Sequence, residues 1–195
     1  VSLKTISTIV SSIALQAIGT ISSVTSIAAS STSVTLSALF TLRTSLAIVA
    51  IDTETLGLNL QRDRLCVVQL SPGDGTADVV QIAQGQTDAP NIIRLLTDPG
   101  VTKIFHFGRF DIAMLSRAFG VAVAPVYCTK IASKLTRTYT DRHGLKDLVK
   151  ELLNVDLSKQ QQTSDWGADE LSDAQREYAA SDVRYLHQLK EKLDE

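Results

Sequence analysis

The sequence predicts an α/β fold over residues 47–195, with a mixed β-sheet that has helices on both faces. Two observations lead to this prediction. Apolar runs of strand length, bounded by turn residues, occur at 47–52, 64–70, 76–82 and 103–107. Longer segments with apolar residues at helical spacing come mostly after these strands. A chain of 195 residues is long enough for one domain with a substantial core.

The predicted strands differ in their surroundings. The first, AIVAID, is a continuous apolar run that ends in acids. The second and third, RLCVVQL and TADVVQI, are separated by SPGDG, which is typical of a hairpin turn. A fourth buried strand is KIFHF, and residues 125–137 contain a short strand or turn followed by a helix.

Three further helices have recognisable ends, and a fourth shows apolar periodicity. APNIIRLLTD has a proline near its start, and DIAMLSRAFG ends at Gly120. HGLKDLVKELLN has leucines and a valine at helical spacing. The last helix is predicted over residues 172–193, and it begins at a Ser172 cap with Gln175 three residues further on.

The composition excludes several classes of protein. Hydrophobic residues make up 44% and charged residues 21%, so the chain is neither a disordered polyelectrolyte nor a collagen-like repeat. A sequence pI near 5.9 argues against coating of long nucleic acid by bulk charge. Two cysteines, Cys66 and Cys128, are too few for a disulfide framework and lack metal-site spacing. We therefore expect free thiols, a cytoplasmic location and no membrane partner.

Residues 1–46 differ from the rest of the chain. They contain 20 Ser and Thr but only two charged residues, Lys4 and Arg43, whereas residues 47–195 carry a net charge of −4. This segment has no clear helical or strand period and too many hydroxyls for a membrane span. We interpret it as a low-complexity extension outside the catalytic core. A signal peptide is the alternative, because a basic residue, an apolar stretch and small residues follow in that order.

The tripeptide Asp52-Thr53-Glu54 ends the first predicted strand. Side chains two residues apart on a strand project to the same face, where unpaired negative charge is costly, so we expect a cation to meet Asp52 and Glu54. Carboxylate oxygens suit Mg²⁺ or Mn²⁺. Exposed strand ends also carry such acids, so this pair does not identify a metal site by itself.

Three residues further along the chain join this pair. Asp111 follows the strand KIFHF and opens a predicted helix, so it either caps that helix or lies at the same sheet edge as Asp52. Tyr178 and Asp182 are four residues apart and share one helical face. The alternative is an ordinary amphipathic helix in which the tyrosine packs on the core and the acid is exposed. Four acids and a tyrosine in this order match a two-metal nuclease site, where the ions stabilise the attacking and leaving oxygens of a phosphodiester.

Together these motifs resemble the tyrosine-containing branch of the DEDD 3′→5′ exonuclease superfamily, and within it the ribonuclease D-like enzymes. The resemblance covers residues 47–195 and includes SKQQQTSDW at 158–166, which is similar to the QxSDW segment of ribonuclease D relatives. ETLGLN, VVQLSPGDG, KIFHFGRFD and CTKIASKLTRTYTDRHGLK are similar to the small nanoRNase C group of this branch. The resemblance implies a ribonuclease H-like, DnaQ-like fold.

The resemblance also implies a role for each motif residue. Asp52, Glu54, Asp111 and Asp182 would hold two divalent cations, Mg²⁺ or Mn²⁺, and Tyr178 would position or deprotonate the attacking water. Members of the nanoRNase C group degrade dinucleotides and form ring-shaped homo-octamers. A short RNA substrate, with DNA as a further possibility, and a homo-octameric assembly are therefore implied for this chain.

Several residues are candidates for substrate contact by the same resemblance. Leu58 follows the first strand and would wedge between two bases, and its alternative is a loop residue folded onto the core. His106 and Phe107 lie on the strand that leads to the third acid, and His106 is alternatively a core histidine. Thr53, between the first two acids, completes this group of candidates.

A basic cluster is a further candidate for phosphate contact. Within residues 130–146 we select Lys134, Arg137 and Arg142, because cations on successive turns can meet a nucleic-acid backbone. The alternative is a solvated helix face whose charges pair with Asp147 and Glu151.

Three hypotheses about function remain at this point. The first is an exoribonuclease for very short RNA, the second is the same class of enzyme trimming longer RNA or DNA, and the third is a non-catalytic nucleic-acid binder. Intact acids and Tyr178 argue against the third, since binding alone gives no physical reason to turn four carboxylates toward a polyanion. The lack of a segment like the helical RNA-binding modules of ribonuclease D after the last helix favours the first.

Overall fold

The computed structural model describes residues 24–28, 48–158 and 160–195. The strands are β1 (Val24–Ala28), β2 (Ile48–Thr55), β3 (Leu65–Ser71), β4 (Ala77–Gln81), β5 (Thr102–Phe105) and β6 (Val126–Cys128). The helices are α1 (Pro90–Thr97), α2 (Arg109–Phe119), α3 (Thr129–Thr136), α4 (Leu145–Leu153), α5 (Asp173–Arg184) and α6 (Leu186–Asp194). Among these described helices, none combines the length and the apolar character needed to cross a bilayer.

The strands form one mixed sheet in the order β1-β4-β3-β2-β5-β6. Strands β2, β3 and β4 form an antiparallel meander. Strands β5 and β6 add parallel pairs on the β2 side, and helix α2 makes the crossover between them. The mixed sheet expected from the sequence is confirmed.

Apolar layers cover both faces of this sheet. On one face, Val49 and Ile51 of β2 pack with buried residues of α1 and α2. On the other face, Ala50 and Ile104 pack with residues of α4, α5 and α6. Every residue of β3 is buried, because the centre of the sheet is covered on both sides. The expectation of helices on both faces is therefore also confirmed.

The SPGDG segment forms the predicted hairpin turn between β3 and β4. Gly73 has φ 89° and Gly75 has φ 86°, a region that side-chain-bearing residues rarely adopt. The Ser71 hydroxyl closes the turn by donating a hydrogen bond of 2.6 Å to the carbonyl oxygen of Thr76.

The last predicted helix is divided in two by the structure. The capping box of Ser172 and Gln175 starts α5 as expected, but the helix is interrupted at Tyr185 before α6 begins. Val183, Leu186 and Leu189 on either side of the interruption are all fully buried. No glycine or proline marks this point, so the break follows from packing both segments on the same core rather than from a local stop signal.

Five residues of the N-terminal segment join the sheet. We expected residues 1–46 to lie outside the catalytic core, but β1 pairs in parallel with β4 from Val24↔Ala77 to Ala28↔Gln81. It forms the outer edge of the sheet, with β4 and β3 between it and the acid-bearing β2. Residues 1–23 and 29–47 lie outside the described residues, so the rest of this expectation stays a prediction.

Candidate active site

Three carboxylates come together at the end of β2. Alternation along the strand places Asp52 and Glu54 on the face that α5 covers, and α5 brings Asp182 to the same place. One carboxylate oxygen from each of the three residues lies within 4.8 Å of the other two. The structure thus brings together three of the four acids that the sequence analysis singled out.

Asp111 reaches this cluster by a different route. It is the third residue of α2, whose N-cap is Gly108, so it is not the capping residue that the alternative interpretation assumed. Its buried carboxylate accepts a hydrogen bond of 2.6 Å from the Thr53 hydroxyl. Thr53 is itself buried, and its hydroxyl positions Asp111, while its contact with substrate stays a prediction.

Burial raises the pKa of all four acids, and for Asp52, Glu54 and Asp182 the charges of neighbouring acids add to this rise. Burial raises the pKa of Glu54 to about 8, and the charges of Asp182 and Asp111 contribute. Burial raises the pKa of Asp182 to about 7, a rise that the Tyr178 hydroxyl opposes and Asp111 strengthens. Burial and then the charges of the other three acids hold the pKa of Asp52 well above its usual range. Without a cation this cluster therefore retains protons near neutral pH.

The donor set fits a divalent cation. Asp52, Glu54 and Asp182 offer oxygen atoms only, which Mg²⁺ and Mn²⁺ prefer. Their mutual repulsion is relieved when a positive charge enters the cluster. Divalent metal binding is thus the use for which this arrangement of partly buried carboxylates is suited.

Gln69 is a site residue that the sequence analysis missed. It is fully buried on β3 and stands directly opposite Asp52 in the antiparallel register, so both side chains share one face of the sheet. Neither amide atom has a hydrogen-bond partner among the described residues. A buried amide is costly unless a further polar group satisfies it. The sequence feature that could have identified Gln69 is its position as a polar residue within the apolar run of a predicted strand.

Tyr178 lies one helical turn before Asp182 and forms a hydrogen bond with its carboxylate. Burial first, and then the charges of the nearby acids, raise the pKa of Tyr178. The phenol is therefore protonated at neutral pH and acts as a donor toward Asp182. Its ring centroid is 6.0 Å from that of Trp166, which is buried and packs beside it.

The QxSDW-like segment supports this tyrosine. The side-chain amide nitrogen of Gln175, in the first turn of α5, donates to the Asp165 carbonyl at 2.9 Å and lies 3.3 Å from the Ser164 hydroxyl. These contacts fasten the loop that carries Trp166 to the helix that carries Tyr178. Lys159 of the same segment lies outside the described residues.

The apolar substrate candidates are exposed near the acids. Leu58 is 84% exposed, so it does not fold onto the core. Phe107 is 55% exposed and has φ 61°, a strained conformation for a bulky residue. The Lys130 ammonium lies 4.0 Å above the centre of the Phe107 ring.

His106 is partly buried between the strand and α3. Its Nδ1 atom is 2.9 Å from the Thr129 hydroxyl. Burial and then the nearby Lys130 charge lower the pKa of His106 to about 4. The imidazole is therefore neutral at physiological pH, and it is a hydrogen-bonding group rather than a cation.

The basic cluster is divided by burial. Arg137 is 4% exposed, and its guanidinium lies 2.5 Å from a carboxylate oxygen of Glu151 and donates to the Ser133 hydroxyl and the Arg142 carbonyl. This position corrects the expectation that Arg137 contacts phosphate, because its donors are used within the protein. Lys134 and Arg142 are exposed, and their contact with phosphate stays a prediction.

A mixed sheet with helices on both faces and an oxygen-only acid cluster beside a tyrosine defines a metal-dependent nuclease class of site. The chain belongs to the 3′-5′ exonuclease family, which it matches over residues 27–195. Ribonuclease D of Acidiphilium cryptum is 37% identical over 145 residues, which are 74% of this chain and 36% of that protein. The chain spans little more than a third of the length of such curated relatives.

Solved structures show the same fold. NrnC of Brucella melitensis with bound Mg²⁺ is 67% identical, with a TM-score of 0.73 over 76% of this chain and 72% of that one. The same protein bound to pGG is 68% identical, with a TM-score of 0.74 and the same coverage. Escherichia coli RNase D is 28% identical, with a TM-score of 0.77 over 88% of this chain and 44% of that one. The expected ribonuclease H-like fold is confirmed.

Proposed function

We propose that this protein is a metal-dependent 3′→5′ exoribonuclease that hydrolyses very short RNA, above all dinucleotides, to nucleoside 5′-monophosphates. The observation that carries the proposal is the convergence of Asp52, Glu54 and Asp182 within 4.8 Å, beside Tyr178. The structure of a 68% identical protein bound to pGG supports a short RNA as the substrate.

Each residue of the site has a defined part in this reaction. Asp52, Glu54 and Asp182, with Asp111 beside them, would hold two divalent cations, Mg²⁺ or Mn²⁺. When bound, such ions polarise the scissile phosphate and make a water more acidic. Tyr178 lies beside Asp182, where its hydroxyl can orient the attacking water by hydrogen bonding.

Leu58 is placed to select short substrates. Its exposed side chain stands four residues beyond Glu54, on the loop that leaves the acid-bearing strand. An exposed leucine can insert between the flat faces of two bases, and it then contacts the second nucleotide of the substrate. Phe107, in the loop after β5, provides an aromatic face, and Lys130 of α3 provides a positive charge above it.

Digestion of 5′-labelled RNAs from two to about ten nucleotides long, with Mg²⁺ or Mn²⁺, tests this proposal. We expect kcat/KM to fall steeply from two nucleotides to three or more, and Leu58→Ala to flatten this dependence because the contact with the second base is lost. Val126→Ala, at an exposed apolar residue of β6, is the control. A wild-type rate that increases with RNA length would instead support trimming of longer RNA, as the ribonuclease D relatives suggest. DNA oligonucleotides of the same lengths test sugar preference.

We further propose that several copies of the chain assemble, as an octameric ring by resemblance. Ile131 and Leu135 stand one turn apart on α3 and are 57% and 74% exposed, and Tyr139 beyond that helix is 72% exposed. An exposed apolar patch of this kind is typical of a protein interface. A closed ring would also bring a neighbouring surface to each open site.

Light scattering of the full chain and of a variant that begins at Leu46 tests the assembly. We expect the shorter variant to be soluble, active and oligomeric, because residues 1–46 are rich in β-forming residues and poor in charge. An active monomer would contradict the ring. Loss of folding would show that the sheet requires the β1 pairing with β4.

A further inference from the structure

The loop between β2 and β3 is held in one conformation by its own side chains. We call residues 56–63 the wedge loop, because Leu58 projects from it. The Thr55 hydroxyl donates a hydrogen bond of 2.7 Å to the Gly57 carbonyl at the start of the loop. The Leu56 amide pairs with the Arg64 carbonyl at 3.2 Å, which joins the two ends of the loop.

Asp63 holds the inner side of the wedge loop. It is 8% exposed, and one of its carboxylate oxygens accepts a hydrogen bond of 2.9 Å from the Asn59 backbone amide. The Arg62 guanidinium donates to both oxygens of the same carboxylate, at 2.7 and 3.0 Å. The Asp63 amide returns a bond of 2.8 Å to the Asn59 carbonyl. The Asp63 carboxylate thus accepts hydrogen bonds from several donors within the wedge loop, and these bonds to a charged group stabilise a tight turn.

The residue immediately before Leu58 is packed against this carboxylate. A methyl group added at Gly57 would lie 2.4 Å from Asp63 Oδ2, so the backbone approaches the acid more closely than any other residue allows. Leu58 is therefore flanked on both sides by residues that contact Asp63, at Gly57 and at Asn59.

A second support comes from the helix that carries a catalytic acid. The Arg117 guanidinium on α2 donates to the Leu60 carbonyl through Nη1 and to the Gln61 carbonyl at 2.9 Å through Nη2. Asp111 stands six residues earlier on the same helix, about 9 Å along its axis. A single rigid element thus connects the wedge loop to the acid cluster.

We infer that Asp63 and Arg117 are positioning residues for substrate length: they hold Leu58 at a set distance from the acid cluster, so that only one nucleotide fits behind it. This inference rests on the proposed function, because it takes Leu58 to contact the second base. A loop that is ordered before binding loses little conformational entropy when substrate enters. If Leu58 were displaced, the site would no longer distinguish substrates by length.

The test combines single and double variants. Arg117→Met and Asp63→Asn are made alone and together with Leu58→Ala. The matched controls, Lys150→Met and Asp156→Asn, remove the two members of an exposed ion pair. The measured quantity is the ratio of kcat/KM for a dinucleotide to kcat/KM for a tetranucleotide. Hydrolysis of bis(p-nitrophenyl) phosphate, a diester without bases, reports on the metal site alone, and thermal melting reports on folding.

We expect Arg117→Met and Asp63→Asn each to lower the dinucleotide-to-tetranucleotide ratio by about tenfold, while the rate on the base-free diester and both controls stay unchanged. In the Leu58→Ala background the same substitutions should have no further effect on the ratio, because they act through that side chain. Additive effects in the double variants, or a normal ratio in both single variants, would overturn the inference. If Leu58→Ala itself leaves the ratio unchanged, the proposed length selection by Leu58 is wrong. In that case, an altered ratio in Arg117→Met would show that Arg117 does not act through Leu58.

Discussion

Asparagine in place of Asp52, Asp111 or Asp182 is expected to lower kcat for RNA hydrolysis by about a thousandfold or more while the fold is retained. Each change removes one negative charge from the carboxylate cluster. Bound cations supply several kcal/mol of transition-state stabilisation, and about 4 kcal/mol corresponds to a thousandfold in rate. Steady-state kinetics at saturating Mg²⁺ measure the loss, and Asp156→Asn, at an exposed surface acid, is the control.

Tyr178→Phe provides the contrast within the same site. It keeps all four carboxylates and removes only the hydroxyl that bonds to Asp182. We expect a smaller loss of kcat than for any of the three acids, with metal binding by calorimetry retained, because orientation of the water is lost but the ligands are not. Equal loss of bound metal in Tyr178→Phe would contradict this role. A near wild-type rate in any of the three asparagine variants would contradict the assignment of that acid.

The thermal stability of the metal-free protein is expected to decrease as pH rises from about 6.5 to about 8.5. The pKa of Glu54 is about 8 and that of Asp182 about 7, both above the usual value near 4 for an unfolded chain. Between these limits the folded protein binds more protons than the unfolded chain, so the free energy of unfolding falls with increasing pH. Each full proton of difference corresponds to at most about 5 °C of Tm per pH unit in a chain of this size.

Added Mg²⁺ should reverse this loss, and more strongly at the higher pH, because protons then compete less for the carboxylates. Melting curves in a chelator and in Mg²⁺ at both pH values measure the effect. Glu54→Gln should reduce the pH dependence in the chelator, whereas Asp156→Asn should preserve it. The lowered pKa values of His106 and His187 act in the opposite sense, but mainly below this window. A melting temperature that rises with pH in the chelator would refute the acid cluster as the source.

Much of the site could be predicted from the sequence. Asp52 and Glu54 end an apolar strand, and strand periodicity alone puts both side chains on one face. Tyr178 and Asp182 share a helical face for the same kind of reason, since residues four apart are neighbours on a helix. These relations are local, and the order of strands and helices then restricts where the segments meet.

The positions of the other polar residues depended on tertiary contacts. Arg137 belongs to a basic cluster in the sequence, but the fold buries it against Glu151, fourteen positions away. The Thr53 hydroxyl pairs with Asp111, which lies 58 positions away, and Gln69 faces Asp52 only because two strands pair in one register.

The sequence by itself determined the α/β class, the order of the elements and the set of acids with Tyr178, because these follow from short-range periodicity and residue chemistry. Only the tertiary structure decided which charged side chains are buried, where the last helix is interrupted and how the wedge loop is anchored by Asp63 and Arg117. The physical reason is that burial and hydrogen-bond pairing depend on groups distant in the chain, and the stability of each polar group is set by those partners.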